Sequence, residues 1–335
     1  MSATIKDVAK KAGVSHTTVS MVIHEDVRIT PETKKRVMKA IEELHYHPNV
    51  LARSLVKGKT NSIAIIANFF SMPFEVNIMK GIEQESEGSE YNINQYATRT
   101  KEATRKEIFE NILYGRSADA VIALSKKPEK DIMGEFKKNN IPVILIEQDM
   151  KDAHMLKADS FKGAYMATEY LIKKGRKKIG IIVGATSWQE IGESPGERLA
   201  GYKKALEDYG IKYNDKNVIQ IRGFYFEEGV RSLRKFIDEK RKLDAVFSAA
   251  GDMVAFGVIK EANIRKISIP EDLAVVGFDD IETASLVSPA LTTVRQPMIE
   301  MGKKAFRLAV DSLEGKVKSP EKLVYEPKLI VRGSA

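Results

Sequence analysis

Beyond residue 61, short apolar runs alternate with amphipathic segments, and no other feature of the sequence constrains the fold as strongly. The first series of predicted strands is SIAIIANFF, YNINQYAT, ADAVIAL and IPVILIEQD, and the second is KKIGIIVG, NVIQIRG, LDAVFSA and LAVVGFDD. Helical segments such as VNIMKGIEQES and GAYMATEYLIKKG lie between them. Strands that alternate with helices are typical of parallel α/β sheets. Two such series predict two α/β lobes with a cleft between them.

Length and composition exclude several classes of protein. A chain of 335 residues is too long for one hydrophobic core and predicts two or three domains. Because cysteine is absent, the chain has no disulfide, thiolate metal site or cysteine nucleophile. The N-terminus, MSATIKDVAKKAG, lacks the apolar stretch of a signal peptide, and no run reaches the roughly 18 apolar residues of a membrane span. We therefore expect a soluble cytoplasmic protein without a membrane partner.

The positive charge is concentrated at the N-terminus. Residues 1–60 contain eleven Lys and Arg against six Asp and Glu, a net charge of +5 out of +8 for the whole chain. A solvated face could account for part of this excess. A small basic N-terminal unit is also the electrostatic footprint of a nucleic-acid binder.

Three short helices are predicted within this basic segment. Thr4 and Asp7 have the spacing of a capping box, and Gly13 is placed to end the first helix. Ser15 is a good N-cap for a second helix, and Thr30 followed by proline begins a third. Only GVS separates the first two helices, so they must cross steeply. These features predict an all-α helix-turn-helix DNA-binding domain over residues 1–47.

The second helix, within SHTTVSMVIH, is too polar for an ordinary core helix. In a helix-turn-helix domain this helix lies in the major groove, where hydroxyl and imidazole groups meet base edges. Any one of these side chains could instead belong to the polar outer face of a surface helix. The predicted DNA-contacting residues of the domain are Thr4, Ser15, His16, Thr17, Thr18, Ser20, Met21 and His24.

The strings TIKDVAKKAGVSHTTVSMVIH and ITPETKKRVMKAIEELHYHPNVLARSL resemble the LacI/GalR family of bacterial transcriptional repressors. The resemblance implies a hinge helix within residues 48–58, formed on operator DNA, with Leu55 as a wedge in the minor groove. Asn49, Ala52 and Arg53 are further candidates for DNA contact. The alternative for Leu55 is a linker leucine packed against the larger domain. Met21 departs from the family pattern, in which many members have arginine, so operator preference at that base is open.

The same resemblance implies that residues 59–335 form a two-lobed α/β periplasmic-binding-protein-like regulatory domain. The chain is expected to cross between lobes near Asp159, Leu291 and Tyr325. The N-terminal lobe would then comprise about 59–159 and 292–325, and the C-terminal lobe about 160–291 and 326–335.

Candidate effector residues lie at the carboxyl ends of the predicted strands, where ligands collect in open parallel sheets. The resemblance implies that Asp279 and Arg198 hydrogen-bond a small effector, usually a sugar, since carboxylate and guanidinium groups suit a polyol. Their alternative roles are an N-cap and a surface salt bridge. Asp159 lies at the first expected crossing, whereas Asp252 is expected to cap the following helix.

Aromatic side chains follow several of the same strands and could form an apolar platform for a ligand. The candidates are Phe69, Phe74, Trp188 and Phe224, of which Phe224 matches a family position that stacks on ligand. Most aromatic residues in these stretches are otherwise expected in the lobe cores. Arg99 is a further candidate for the pocket. A purine or another non-sugar co-repressor remains an alternative to a sugar effector.

The sequence contains no convincing catalytic, cofactor or metal motif. The GKT at residues 58–60 lacks the first glycine of a P-loop, because Arg53 occupies that place. Asp279 and Asp280 are neighbours on one strand and should point in opposite directions. The five histidines lie outside the predicted cleft strands. We therefore expect no enzyme activity, cofactor or metal.

The predicted function is that of a sequence-specific DNA-binding regulator, best described as a repressor under effector control. A solute-binding receptor would share the two lobes but would not need the N-terminal domain. Two helix-turn-helix domains related by the two-fold axis of a dimer would read a near-palindromic operator. The sequence ends at LIVRGSA without a heptad repeat, which favours a homodimer over a tetramer.

Overall fold

The computed structural model describes residues 3–23, 26–46, 59–98, 102–185 and 193–335. The chain divides into two compact units, Met1–Thr60 and Asn61–Ala335. The predicted hinge segment, 48–58, lies outside the described residues, and with it the candidates Asn49, Ala52, Arg53 and Leu55. His24, Arg99 and Trp188 also lie outside them.

The N-terminal unit contains the helices α1 (Ile5–Ala12), α2 (His16–Ile23) and α3 (Pro31–Glu43). The predicted capping box of α1 is present, and Gly13 ends that helix with a φ of 66°. A side chain at Gly13 would be strained in this left-handed conformation. Thr30 caps α3 as predicted. The helices share one apolar core, formed by Val8, Ala9, Ala12, Val19, Val22, Val37 and Ala40.

The second unit begins with a series of alternating strands and helices. They are β1 (Ser62–Ala67), α4 (Pro73–Ser86), β2 (Asn92–Ala97), α5 (Glu102–Tyr114), β3 (Ala120–Leu124), α6 (Lys130–Lys138), β4 (Val143–Ile146) and β5 (His154–Ala158). Together with β11 (Lys322–Tyr325), these strands form a parallel sheet in the order β11-β5-β4-β3-β1-β2. Every residue of β1, β3 and β4 is buried, as expected for strands covered on both faces.

A second series forms the other lobe. It comprises α7 (Ser160–Lys173), β6 (Ile179–Gly184), α8 (Ser194–Asp208), β7 (Val218–Ile221), α9 (Phe226–Asp238), β8 (Ala245–Ser248), α10 (Asp252–Ile264), β9 (Ala274–Asp279) and β10 (Thr292–Arg295). With β12 (Lys328–Ile330) they form a sheet in the order β12-β10-β9-β8-β6-β7, in which only the pairing of β10 with β12 is antiparallel among the described strands. The two predicted α/β lobes and their strands are therefore confirmed.

The chain crosses between the sheets after β5, after β10 and between β11 and β12. The predicted crossing near Leu291 is wrong by a few residues, because β10 pairs with β9 and so belongs to the second sheet. The crossing lies at Gln296 and Pro297, immediately before α11 (Met298–Leu313), which packs against α4 of the first lobe. Among the described helices, none is both long and apolar enough to traverse a bilayer.

Candidate effector cavity and DNA-facing helix

A cavity of about 250 Å³ lies where the carboxyl ends of strands from both sheets face each other. Asn68 and Glu147 follow strands of the first sheet, and Phe224 and Gly251 follow strands of the second. Such a position at the strand ends is where ligands bind in open α/β sheets. The structure brings together, in the wall of this cavity, the predicted residues Phe69, Phe74, Arg198, Phe224 and Asp279.

Asp279 ends β9 in an unusual backbone conformation, with a φ of 109°. Its Oδ1 accepts a hydrogen bond of 2.6 Å from Nε2 of Gln296, in the second crossing between the lobes. Burial raises the pKa of the Asp279 carboxyl to about 6, and the charge of Arg198 opposes this shift. A glycine is required at position 251, next to Asp279, for two reasons. A Cβ there would lie 3.0 Å from Oδ2 of Asp279, and the φ of Gly251 is 110°. Strain of this kind is concentrated at functional sites.

The Arg198 guanidinium is held in place by the second lobe. Its Nη1 donates to the carbonyl oxygen of Ala249 at 2.8 Å, and its Nε donates to Oγ of Ser160 at 3.3 Å. The guanidinium carbon lies 3.7 Å from the centre of the Phe278 ring. This stacking and the two hydrogen bonds fix the orientation of the charge toward the cavity.

Three acidic residues of the cavity wall were not predicted as effector residues. Glu75, in the first turn of α4, and Glu147, directly after β4, come from the first lobe, and Asp252 opens α10 in the second. Burial raises the pKa of Glu75 to about 7, and it also raises the pKa of Glu147. The only sequence indication for Glu75 and Glu147 was their position soon after the carboxyl end of a predicted strand.

Asp252 corrects an expectation from the sequence. It does not cap α10, whose N-cap is Gly251 without a side-chain hydrogen bond. Its buried carboxyl instead accepts a 2.5 Å hydrogen bond from Oγ1 of Thr293 and a 2.9 Å hydrogen bond from the backbone N–H of Ile281. Burial, with the nearby charge of Asp279, raises its pKa well above the ordinary value. Asp252 therefore joins three segments of the second lobe at the cavity wall.

Asp159 is a second correction. It lies at the first crossing as predicted, but it does not belong to the cavity wall. Its carboxylate accepts a 2.8 Å hydrogen bond from the backbone N–H of Lys162 and thus caps α7. An Asp at this position satisfies an otherwise free N–H of the first helical turn.

The first turn of α8 connects the two lobes beside the cavity. Oγ of Ser194 donates a 2.5 Å hydrogen bond to Oε2 of Glu147, whose other oxygen accepts from the backbone N–H of Ala158 at 2.8 Å. One turn on, Glu197 forms a 2.6 Å ion pair with Lys157 of β5, and both side chains are largely buried. Arg198 follows Glu197 directly, so the first turns of α8 contribute both to the cavity wall and to these inter-lobe contacts.

The outer face of α2 is a candidate DNA interface. Ser15, His16 and Thr17 are exposed, and Thr18, Ser20 and Met21 are half-buried. Oγ of Ser15 accepts a 3.1 Å hydrogen bond from the backbone N–H of Thr18, which confirms Ser15 as a cap. Thr4 caps α1, and its hydroxyl donates to Asp7 at 2.7 Å. DNA contact by any of these residues stays a prediction.

Both parts of the chain match known protein families. Residues 4–49 match the family "Bacterial regulatory proteins, lacI family", and residues 168–335 match the "Periplasmic binding protein-like domain". The HTH-type transcriptional regulator DegA of Bacillus subtilis is 35% identical over 100% of this chain and 98% of its own length. The HTH-type transcriptional repressor PurR of Edwardsiella ictaluri is 32% identical over 99% of this chain and 96% of its own length.

Solved structures show the same fold. The complex of the transcriptional regulator CelR with cellobiose has a TM-score of 0.73 and 29% identity, and the match covers 99% of this chain and 100% of that one. The lac repressor dimer bound to operator and the anti-inducer ONPF has a TM-score of 0.83 over 100% of this chain and 99% of that one. At 22% identity, the second likeness concerns the fold alone.

Proposed function

Because the chain belongs to the lacI family of bacterial regulatory proteins, we propose that it is a cytoplasmic repressor that binds a near-palindromic operator as a homodimer. A polyhydroxylated effector of the sugar class, bound in the cavity between the lobes, controls its affinity for the operator. The observation that carries this proposal is the cavity itself, in which charged groups and aromatic rings from both lobes converge.

The chemistry of the cavity wall supports a sugar-like effector. Asp279 can accept hydrogen bonds from hydroxyl groups, and Arg198 can donate to hydroxyl oxygens. Phe74 and Phe224 offer apolar surface of the kind on which the C–H face of a sugar ring packs. The cavity volume of about 250 Å³ is suited to a small ligand.

The arrangement supports binding rather than catalysis. Asp279 faces the cavity, whereas Asp280 forms ion pairs of 2.6 Å with Arg295 and 2.7 Å with Arg332. The two neighbouring acids therefore have different surroundings and do not form an acid–base pair.

Control by the effector requires contacts that differ between two conformations of the lobes. Phe69 and Phe74 come from the first lobe, and Arg198 and Asp279 come from the second, so a ligand that touches both sets favours one inter-lobe angle. Moving a two-state equilibrium from almost fully bound to almost fully released needs about 5.5 kcal/mol of preference. A single hydrogen bond contributes about 1 kcal/mol, so several contacts must change together.

The test is a titration of operator DNA with the parent protein and with Asp279→Ala, with and without an effector found by thermal-shift screening of sugars, uronates and purines. A ligand that binds only the folded state must raise its stability, so the screen detects a binder from any of these three classes. We expect Asp279→Ala to abolish the effector response while operator affinity without effector changes less than about threefold, or about 0.65 kcal/mol.

Asp238→Ala, which removes an exposed carboxylate of the same lobe outside the cavity, is the matched control and should respond as the parent does. A normal effector response in Asp279→Ala would refute the assignment of the cavity. So would a folded Asp279→Ala protein that no longer binds operator.

A further inference from the structure

Glu75 is a buried acid whose position in its helix does not explain its burial. It lies in the first turn of α4, where a carboxylate favourably meets the helix dipole. An exposed acid would provide that interaction without losing its hydration. Glu75 is only 8% exposed and forms part of the cavity wall. Burial raises its pKa to about 7, so desolvation outweighs the helix dipole at this site.

Glu75 also lacks the partners that the other cavity acids have. Asp279 accepts from Gln296, Asp252 from Thr293, and Glu147 from Ser194. Within the described part of the chain, the carboxyl of Glu75 accepts from its own backbone N–H, no other side chain donates to it, and no basic group lies within 4.0 Å. The charges that act on it are those of Asp279, which repels it, and Lys126, which attracts it. A buried carboxyl group without a close partner is unfavourable unless a ligand supplies one.

The charge of the cavity favours a positive ligand group over a negative one. Among the described residues, the wall contains the four carboxyl groups of Glu75, Glu147, Asp252 and Asp279 and the two guanidinium groups of Arg198 and Arg222. The Arg198 guanidinium already binds the carbonyl oxygen of Ala249 and stacks on Phe278, and Arg222 is exposed. An anionic ligand would therefore lie close to acids from both lobes, and of the two guanidinium groups of the wall only Arg222 is without the contacts that hold Arg198.

We propose that the effector carries an ammonium group that pairs with Glu75, and that it is an amino sugar or a similar aminated polyol. This inference rests on the proposed function of the cavity. Glu75 belongs to the first lobe and Asp279 to the second, and the charges of the two carboxyl groups influence each other. An ammonium group between the two carboxylates would offset their repulsion. It would also contact both lobes, so its binding would depend on the inter-lobe angle. Hydroxyl groups of a neutral sugar can donate hydrogen bonds to Glu75 but cannot neutralise its charge.

The experiment is calorimetric titration of the full chain with matched sugars at about pH 7, where Glu75 is partly ionised and the amine of an amino sugar is mostly protonated. The probes are D-glucosamine, N-acetyl-D-glucosamine, D-glucose and D-glucuronate, and the corresponding galactose series. We expect one amino sugar to bind at least about tenfold more tightly than its neutral and acetylated counterparts, and uronates to bind more weakly still. In Glu75→Gln the preference for the amino sugar should fall to about twofold or less.

Glu83→Gln, an exposed glutamate two turns along α4, is the matched control and should keep the full preference. Equal or tighter binding of a neutral sugar or a uronate overturns the inference but leaves the cavity as a sugar site. Persistence of the preference in Glu75→Gln also overturns it. If the protein binds operator but none of the probes, both the proposed ammonium group and the proposed sugar class of the effector are refuted.

Discussion

At the level of individual residues, most acids of the proposed effector cavity accept a hydrogen bond from another side chain of the protein, and one acid does not. Gln296 holds Asp279 at 2.6 Å, and Thr293 holds Asp252 at 2.5 Å, so these carboxyl groups are fixed before any ligand arrives. Glu75 is buried without such a partner. A group of this kind lowers the stability of the free protein and is useful only in a complex, which is a common property of binding sites.

Glu75→Gln should therefore stabilise the free protein at high pH. The pKa of Glu75 is about 7 in the folded protein against an ordinary value of 4.5, so the folded state binds more protons between these values and loses stability as pH rises through them. The amide has no charge to desolvate. We expect the variant to be more stable than the parent by about 2 to 3 kcal/mol at about pH 8, and by much less at about pH 5.

Urea denaturation at both pH values, followed through the transition of the 61–335 unit, measures this difference. Equal stability of parent and variant at the higher pH would show that the folded protein does not penalise ionised Glu75. Loss of amino-sugar binding together with a gain in stability could not be attributed to misfolding.

At the level of helices and strands, glycines determine how closely the helices of each lobe approach. Gly81 of α4 and Gly302 of α11 lie at a helix crossing, where a Cβ on Gly81 would lie 2.0 Å from the carbonyl oxygen of Ile299. The same arrangement occurs between α9 and α10 at Gly229 and Gly257. Since backbone atoms cannot yield as a flexible side chain can, a larger residue must separate the helices.

Gly81→Ala should destabilise the larger unit by about 2 to 3 kcal/mol, in spite of the better helix propensity of alanine. Because α4 carries Glu75 and α11 follows the second lobe crossing, effector affinity should fall as well. Gly134→Ala in α6, where a Cβ meets no atom within 4 Å, is the control and should be neutral or slightly stabilising. Chemical denaturation of both variants decides the matter, and similar unfolding midpoints would refute the steric argument.

The hinge segment gives a second prediction for a single element, from the sequence alone. Leu55 matches the wedge leucine of the family pattern and is far in sequence from the proposed cavity residues. We expect Leu55→Ala to lose a few kcal/mol of operator binding, the cost of unstacking one base step, while effector binding stays nearly unchanged. Gel shift and calorimetry measure the two affinities separately. Parent-like operator binding would show that Leu55 is not the wedge.

For the molecule as a whole, the proposed function requires two copies of the basic N-terminal helix-turn-helix domain. One helix-turn-helix reads one half-site, so a two-fold dimer is the simplest assembly that reads a near-palindrome. Sedimentation of the full chain at micromolar concentration should give a dimer of 37.5 kDa chains. A monomer, or a stable tetramer, would contradict the proposed assembly.

Local patterns along the chain were enough to predict many features of the fold. The caps at Thr4, Ser15 and Thr30, the apolar stripe of the N-terminal helices and four strands of each sheet follow from residue spacing. The strands β5, β10, β11 and β12 were not predicted. Asp279 ends a strand and Arg198 lies near the start of a helix, and both belong to the cavity wall, in agreement with the tendency of ligand sites to lie at the carboxyl ends of parallel strands. Their contact with an effector stays a prediction.

Which other polar residues share that cavity depends on the packing of the two lobes. Asp159 and Asp252 both follow strand ends, yet Asp159 caps a helix outside the cavity wall, whereas Asp252 belongs to the wall and is held there by Thr293. Glu75 has the local sequence of an ordinary first-turn acid, yet it is buried and its charge is repelled by Asp279 of the opposite lobe, which is remote in sequence. Burial and the charge of distant neighbours are properties of how the two lobes meet, so no local pattern contains them.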